Sequence, residues 1–246
     1  MSSPILSDAP RAPAPVDETP AAPLAPVAAA EPTVVLLDDD HSLRRGMARL
    51  LAEHGLRAAG FATLGELLAS GIADGPGCLM LDLYIPGLDG MQLLTLLREA
   101  GCEMPVVFLT GHGDVTTSVR AMKSGAVDFL VKPPREDHRL ESVRRALAID
   151  AEARARRALV DDLARRYDAL TLRERQVFAL VVRGLLNKQI AARLGLVEKT
   201  VKVHRSRLTT KMGAASLPDL VRMADRLVAH VPALRVATFG PGAAVS

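Results

Sequence analysis

The chain has 246 residues, 49% of them hydrophobic, and a formal net charge of +3 from 31 Lys and Arg against 28 Asp and Glu. That length carries one large or two ordinary domains with sizeable cores, and neither a membrane span nor an export signal is indicated, since no apolar run approaches the roughly 18 residues that a span needs. A cytoplasmic protein is expected, with Cys78 and Cys102 as buried or incidental thiols in a reducing compartment rather than a disulfide or a metal pair.

Residues 1–32 are mostly Ala and Pro without a period, a composition that cannot offset chain entropy by burial, so a disordered leader is expected. From Thr33 aliphatic runs alternate with amphipathic stretches. TVVLL, RAAGF, GCLML, PVVFLT and VDFLV read as five strands; LRRGMARLLAEHG, LGELLAS, GMQLLTLLREAG and TTSVRAMKSG read as the helices between them, with one more after Lys132. Such alternation predicts a doubly wound α/β domain, a five-stranded parallel sheet covered on both faces, over residues 33–148. The following run, free of Gly and Pro and rich in Ala, Arg and Leu, predicts a helical linker over 149–165. Short amphipathic helices punctuated by Gly184, Gly195 and Gly213 then predict a separate all-α domain over 166–231, and residues 232–246 a flexible tail.

Charge separates the halves. Residues 33–132 hold eight Lys and Arg against twelve Asp and Glu, whereas residues 169–230 hold twelve against four, so a polyanion partner is expected for the second domain alone. Phe178 is the one aromatic residue in that span, which leaves no stacking platform for single strands and favours duplex DNA.

In open parallel sheets ligands sit beyond the carboxyl ends of the strands. The first strand runs into Asp38, Asp39 and Asp40; the third, fourth and fifth end in Asp82, Thr110 and Lys132. Asp38, Asp39, Asp82, Thr110 and Lys132 are therefore expected to converge, while Asp40 reads as the cap of the first helix, and His41 and His112 as loop residues. A hard-oxygen carboxylate cluster suits Mg²⁺, and an aspartate beside such a metal can act as nucleophile toward a phosphoryl group. Lys132 and the Thr110 hydroxyl would then meet the phosphoryl oxygens.

LLDDD, LMLDLYIPGLDG, VVFLTGHGD and GAVDFLVKP together resemble the receiver domain of two-component response regulators, a flavodoxin-like fold, in order and at family spacing. The resemblance implies that Asp82 is the phosphoacceptor and that Asp39 and Asp82 bind Mg²⁺ with the Tyr84 carbonyl, Asp38 acting mainly through metal-bound water. It also implies a cis bond at Pro133 and an aromatic switch at Phe129 that turns inward when Thr110 moves toward the phosphoryl group. Pro134 departs from the aromatic residue often found there. Dehalogenase-type phosphatases share the nucleophile but want a second acid two residues on, where this chain has Tyr84.

In the basic half, Thr171 and Glu174 form a capping box that opens a helix with Val177, Leu180 and Val181 inward. NKQIAARLGL then gives a helix, a Gly turn and a third helix over 198–212, a helix-turn-helix pattern. At 100° per residue Val197, Val201, Leu208 and Met212 form the core face of that helix, and Lys199, Lys202, Val203, Ser206 and Thr210 point away with Arg207 beside them, a set suited to a major groove. The segment is similar to the LuxR-type helix-turn-helix domain, which identifies the whole as a member of the NarL/FixJ class, closest to the FixJ type. That resemblance assigns Lys202, Val203 and Ser206 to base contacts and Lys188 and His204 to backbone or nearby contacts. It implies no enzyme beyond the phosphoryl chemistry of Asp82, but a transcriptional regulator that a sensor histidine kinase phosphorylates, that dimerises when phosphorylated, and that engages promoter DNA and RNA polymerase.

Overall fold

A computed structural model of the chain describes residues 31–85, 88–111, 119 and 121–228. The predicted leader up to residue 30, His112, residues 116–118 and 120 of the helix read at 116–125, and the tail lie outside the described residues.

Five strands, β1 (Thr33–Leu37), β2 (Arg57–Phe61), β3 (Gly77–Asp82), β4 (Val106–Thr110) and β5 (Asp128–Val131), form one parallel sheet in the order β2-β1-β3-β4-β5. The strand period of two splits their side chains between two cores. Val34, Leu36, Cys78, Met80, Val107 and Leu109 pack with Met47 and Leu51 of α1 (His41–Glu53) and with Leu140, Val143 and Ala146 of a long helix, α4 (Glu136–Asp168). Val35, Leu37, Leu79, Leu81, Val106 and Phe108 pack with Leu67 of α2 (Leu64–Ser70) and with Leu93, Leu94 and Leu97 of α3 (Gly90–Glu99). Burial on both faces is why these strands read as unbroken aliphatic runs. Both cysteines are buried and free, and burial first, then the nearby Asp150 carboxylate, pushes the Cys78 thiol up to about 12.

The α4 helix runs unbroken for 33 residues, through the whole of the stretch read as a linker, and serves two cores. Its early turns cover the sheet, whereas Leu163 and Tyr167 join Val177, Phe178, Ile190, Val201, Leu208 and Met212 in the second. That second core is built by α5 (Leu172–Val182), α6 (Asn187–Leu194), α7 (Glu198–Met212) and α8 (Leu217–Val228). The predicted capping box is present at the start of α5. Gly195 takes a left-handed conformation, φ 65°, at the turn between α6 and α7, as a tight reversal requires.

One buried carboxylate pins the middle of α4 to the sheet. Asp150, 2% exposed, accepts the Gly77 N–H at 2.9 Å and the Arg154 Nε–H at 2.9 Å, while the Arg154 guanidinium also donates to the carbonyls of Asp74 and Gly75. Gly77 must be glycine here, because a Cβ would lie 2.0 Å from the Thr33 carbonyl oxygen. Asp150→Ala leaves a buried N–H without an acceptor, which costs about 1–3 kcal/mol. A urea titration should show that loss for the variant against the parent chain.

Candidate phosphoryl and DNA sites

Strand register explains the convergence at one sheet edge. Leu37 pairs with Leu81, Asp82 with Leu109 and Thr110 with Val131, so Asp38 and Asp82 end at one level and Lys132 follows directly beyond Thr110. The Lys132 N–H donates to the Thr110 carbonyl at 2.7 Å, and the Lys132–Pro133 peptide bond is cis.

The Lys132 ammonium donates to Asp38 Oδ2 and to Asp82 Oδ2, each at 2.7 Å. Asp38 Oδ1 accepts the Asp40 N–H at 2.9 Å and Asp82 Oδ1 the Tyr84 N–H at 3.1 Å. Burial would lower the Lys132 pKa, but the two carboxylates outweigh it and hold the ammonium above its ordinary value. Asp40 caps α1 through the N–H groups of Ser42 and Leu43, as expected, while Arg44 donates to the Asp38 carbonyl at 2.6 Å and fixes the turn. Asp38, Asp39 and Asp82 each offer an oxygen within 4.8 Å of the others'. Asp38 and Asp82 are buried and Asp39 is exposed.

An open cavity of about 530 Å³ lies against Asp82, Tyr84, Gly111 and Lys132. A larger depression beside His54 and the first turns of α4 is lined by charges of both signs, the pattern of a solvated helix face rather than a reaction centre. Behind the site, the Gly90 N–H donates to the Leu83 carbonyl, and a Cβ at Gly90 would stand 2.7 Å from the Leu83 Cα, so glycine there lets α3 approach the loop that follows Asp82. Thr110 is fully buried. Phe129 is half-buried against the core shared with α2 and α3. Next to it, Asp128 takes the Ser142 hydroxyl at 2.5 Å and Arg145 Nη2 at 2.8 Å, tying β5 to α4.

On α7, Val201, Leu208 and Met212 are fully buried and Lys199, Lys202, Val203, Ser206, Arg207 and Thr210 are exposed, as the periodicity predicts. Lys188 on α6 is exposed as well, and His204 is half-buried with Nδ1 enclosed and unbonded. Val197 corrects the sequence reading. It is 68% exposed rather than part of the core face, because it is the N-cap residue, with extended backbone (φ −85°, ψ 148°) to which the helical wheel does not apply. The Asn187–Arg205 hydrogen bond at 3.0 Å between α6 and α7 escapes sequence reasoning, since its partners lie 18 residues apart on different helices.

Residues 34–144 match the response regulator receiver domain family, and residues 168–224 the luxR family of bacterial regulatory proteins. Over 194 residues, 79% of this chain and 86% of the relative, it is 43% identical to nodulation protein W of Bradyrhizobium diazoefficiens. The chain is a response regulator of the NarL/FixJ class. This response regulator is also 44% identical over 197 residues to the C4-dicarboxylate transport transcriptional regulatory protein DctR of Rhodobacter capsulatus, covering 78% of this chain and 98% of that one. It is 41% identical over 191 residues to the transcriptional regulatory protein FixJ of Azorhizobium caulinodans, covering 78% and 90%. The solved structure of the response regulator StyR matches with a TM-score of 0.73 at 41% identity, over 80% of this chain and all of that one. It is thus a transcription factor with a receiver and a LuxR-type DNA-binding domain and not a conventional enzyme. Among the described residues no helix is long and apolar enough to cross a membrane.

The DNA-binding domain of this response regulator is braced behind α7. Glu174, 2% exposed, accepts Lys211 Nζ at 2.7 Å and the Thr171 N–H at 2.9 Å. Burial alone would raise the Glu174 carboxyl, but Lys211 and the Thr171 bonds outweigh it and hold the pKa below the ordinary 4.5. A depressed carboxyl contributes stability that is fully present above its unfolded pKa and is lost as pH falls through the folded one. The difference in thermal midpoint between the parent chain and Glu174→Gln should therefore be full well above the ordinary 4.5 and shrink as pH falls below it.

Proposed function

We propose that a sensor histidine kinase transfers a phosphoryl group to Asp82, and that the phosphorylated receiver pairs with a second copy and places two basic domains on promoter DNA, where they contact RNA polymerase. The observation that carries this reading is the Lys132 ammonium held between Asp38 and Asp82, with both carboxylates buried at the sheet edge. An Asp82 carboxylate oxygen attacks phosphorus, its new O–P bond replacing the P–N bond to the kinase imidazole, which leaves with the electron pair. Lys132 then exchanges its bond to Asp82 Oδ2 for one to a phosphoryl oxygen, and the Thr110 hydroxyl donates to another.

The donor set fits a divalent cation. Three carboxylates with oxygens within 4.8 Å, opposed by a single ammonium, leave excess negative charge on hard donors of the kind Mg²⁺ prefers. Asp38, Asp39, Asp82 and the Tyr84 carbonyl would hold it, Asp38 mainly through bound water, and when bound it neutralises the phosphoryl oxygens. Phosphorylation adds about 1.5 to 2 negative charges beside Thr110. The Thr110 side chain moves toward them, Phe129 turns inward into the space released, and β5 and the start of α4 adjust together through Asp128, Ser142 and Arg145.

In the output domain Lys202, Val203 and Ser206 read base edges, with Lys199 and Arg207 beside them, and Lys188 and His204 meet the backbone or lie close to it. An exposed valine, 43% accessible among cations, suits a thymine methyl better than water.

Acetyl phosphate with Mg²⁺ should label the protein on one residue and raise its sedimentation mass to that of a dimer, and Asp82→Asn should show neither change. Wild-type labelling of Asp82→Asn would sink the assignment. Val203→Ala, which alters no charge, should keep the salt dependence of DNA binding while narrowing the gap between a duplex enriched by the parent protein and random sequence by about 1–3 kcal/mol. Fluorescence anisotropy on both duplexes measures the ratio, and an unchanged ratio would remove α7 from the groove.

A further inference from the structure

Three cations of the DNA-binding half are partly withdrawn from water: Arg166, Arg175 and Arg205. Two of them face carboxylates, Arg166 with Asp162 at 2.8 Å and Arg175 with Asp168 at 3.3 Å. Among the described residues Arg205 has no carboxylate partner; its Nη1 donates to Asn187 Oδ1 at 3.0 Å instead. A guanidinium offers five N–H donors and a full positive charge, and a neutral amide oxygen takes one donor and none of the charge. Partial burial of an unneutralised cation is costly, and the cost is recovered when an anion from outside the chain supplies the missing partner.

The place of Arg205 says which anion. It lies three residues after Lys202 on α7, hence beside it on the helix surface, on the flank next to the buried row of Val201, Leu208 and Met212. Asn187 opens α6 and is followed directly by the exposed Lys188. The tether therefore keeps the guanidinium at the seam of the two helices, where Asn187 is next in sequence to Lys188 and Arg205 is one turn from Lys202. When α7 enters a major groove, that seam follows the groove's edge, where the backbone of one strand runs. Planar forked donors match phosphate oxygens in pairs, which a lysine ammonium cannot do.

We propose that Arg205 contacts a DNA backbone phosphate and that Asn187 is its positioning residue. The proposal depends on the DNA-binding reading given above. It adds to that reading a sequence-independent anchor built from two helices, with the tethered guanidinium pre-set before DNA arrives.

The test uses the full chain and a random-sequence duplex of about 30 base pairs, followed by fluorescence anisotropy over a range of salt, because a phosphate contact needs no operator. Arg205→Met should flatten the slope of log affinity against log salt by about 0.9 for each chain bound, and so weaken binding about eightfold at 0.1 M salt. Arg205→Lys, which retains the charge, should keep the slope. Asn187→Ala should lose part of it while its far-UV circular dichroism and thermal midpoint stay those of the parent, a pattern that a merely structural hydrogen bond does not give. A parental slope in folded Arg205→Met would overturn the phosphate contact. Equal slope losses in the Met and Lys variants would also overturn it, since the residue would then act through folding. Should Arg205→Met fail to fold, the other two variants decide: a parental slope and affinity in Asn187→Ala overturns the positioning role, and a slope lost in Arg205→Lys overturns the contact. Salt-independent binding by the parent chain would instead overturn the DNA-binding reading itself.

Discussion

Two buried carboxylates at one sheet edge share a single ammonium that stands between them. Asp38 and Asp82 are almost without solvent, and like charges so close repel. The Lys132 Nζ at 2.7 Å from each offsets that repulsion by binding one oxygen of each carboxylate. The surrounding architecture serves this arrangement. Register across β1 and β3 brings Asp38 and Asp82 level and β5 delivers Lys132 just beyond them at the same edge, the Asp40 cap and Arg44 hold the first turn, and Gly90 lets α3 close behind the loop that follows Asp82. Three acids stand together with one ammonium bound to two of them, so the cluster is net negative, which is the electrostatic condition for a divalent cation, and such a cation would offset the charge of an incoming phosphoryl group.

The second constraint is the continuity of α4. One helix contributes Leu140, Val143 and Ala146 to a core of the sheet and Leu163 and Tyr167 to the core beneath α7. Polar contacts follow along its length: Ser142 and Arg145 on Asp128, Asp150 on the Gly77 N–H, Arg166 on the carbonyl of Met212, and the Ala169 carbonyl on Lys211. The last two grip the carboxyl end of α7, where a cation also meets the negative end of the helix dipole. The strand next to the phosphoryl site and the helix proposed to read DNA are thus joined through directly bonded residues. The path from β5 to α7 is made of packed and hydrogen-bonded neighbours.

Much of this was legible in the sequence because it is periodic or local. The aliphatic runs announced strands buried on both faces, the capping box at Thr171 and Glu174 announced a helix start, and the buried row of α7 followed from a 100° step. The receiver cluster was legible for a different reason: parallel strands deliver their carboxyl ends to one edge whatever their loops do, so residues at strand ends meet by topology. The wheel failed at Val197 because a residue at a helix cap has left the helical backbone on which the wheel depends.

By itself the sequence determined the two architectures, the acidic and basic halves, and the residue types gathered at the sheet edge, since all of these depend on composition, period and strand order. Tertiary structure alone decided which oxygen faces which nitrogen: the Lys132 ammonium shared between Asp38 and Asp82, the Asp150 carboxylate turned to Gly77, the Asn187 amide on Arg205. Those partners are separated by 94, 50, 73 and 18 residues, and no local pattern encodes a contact between such positions. Each bond exists because full or partial burial takes water from a polar group, and the fold has brought one complementary group within reach.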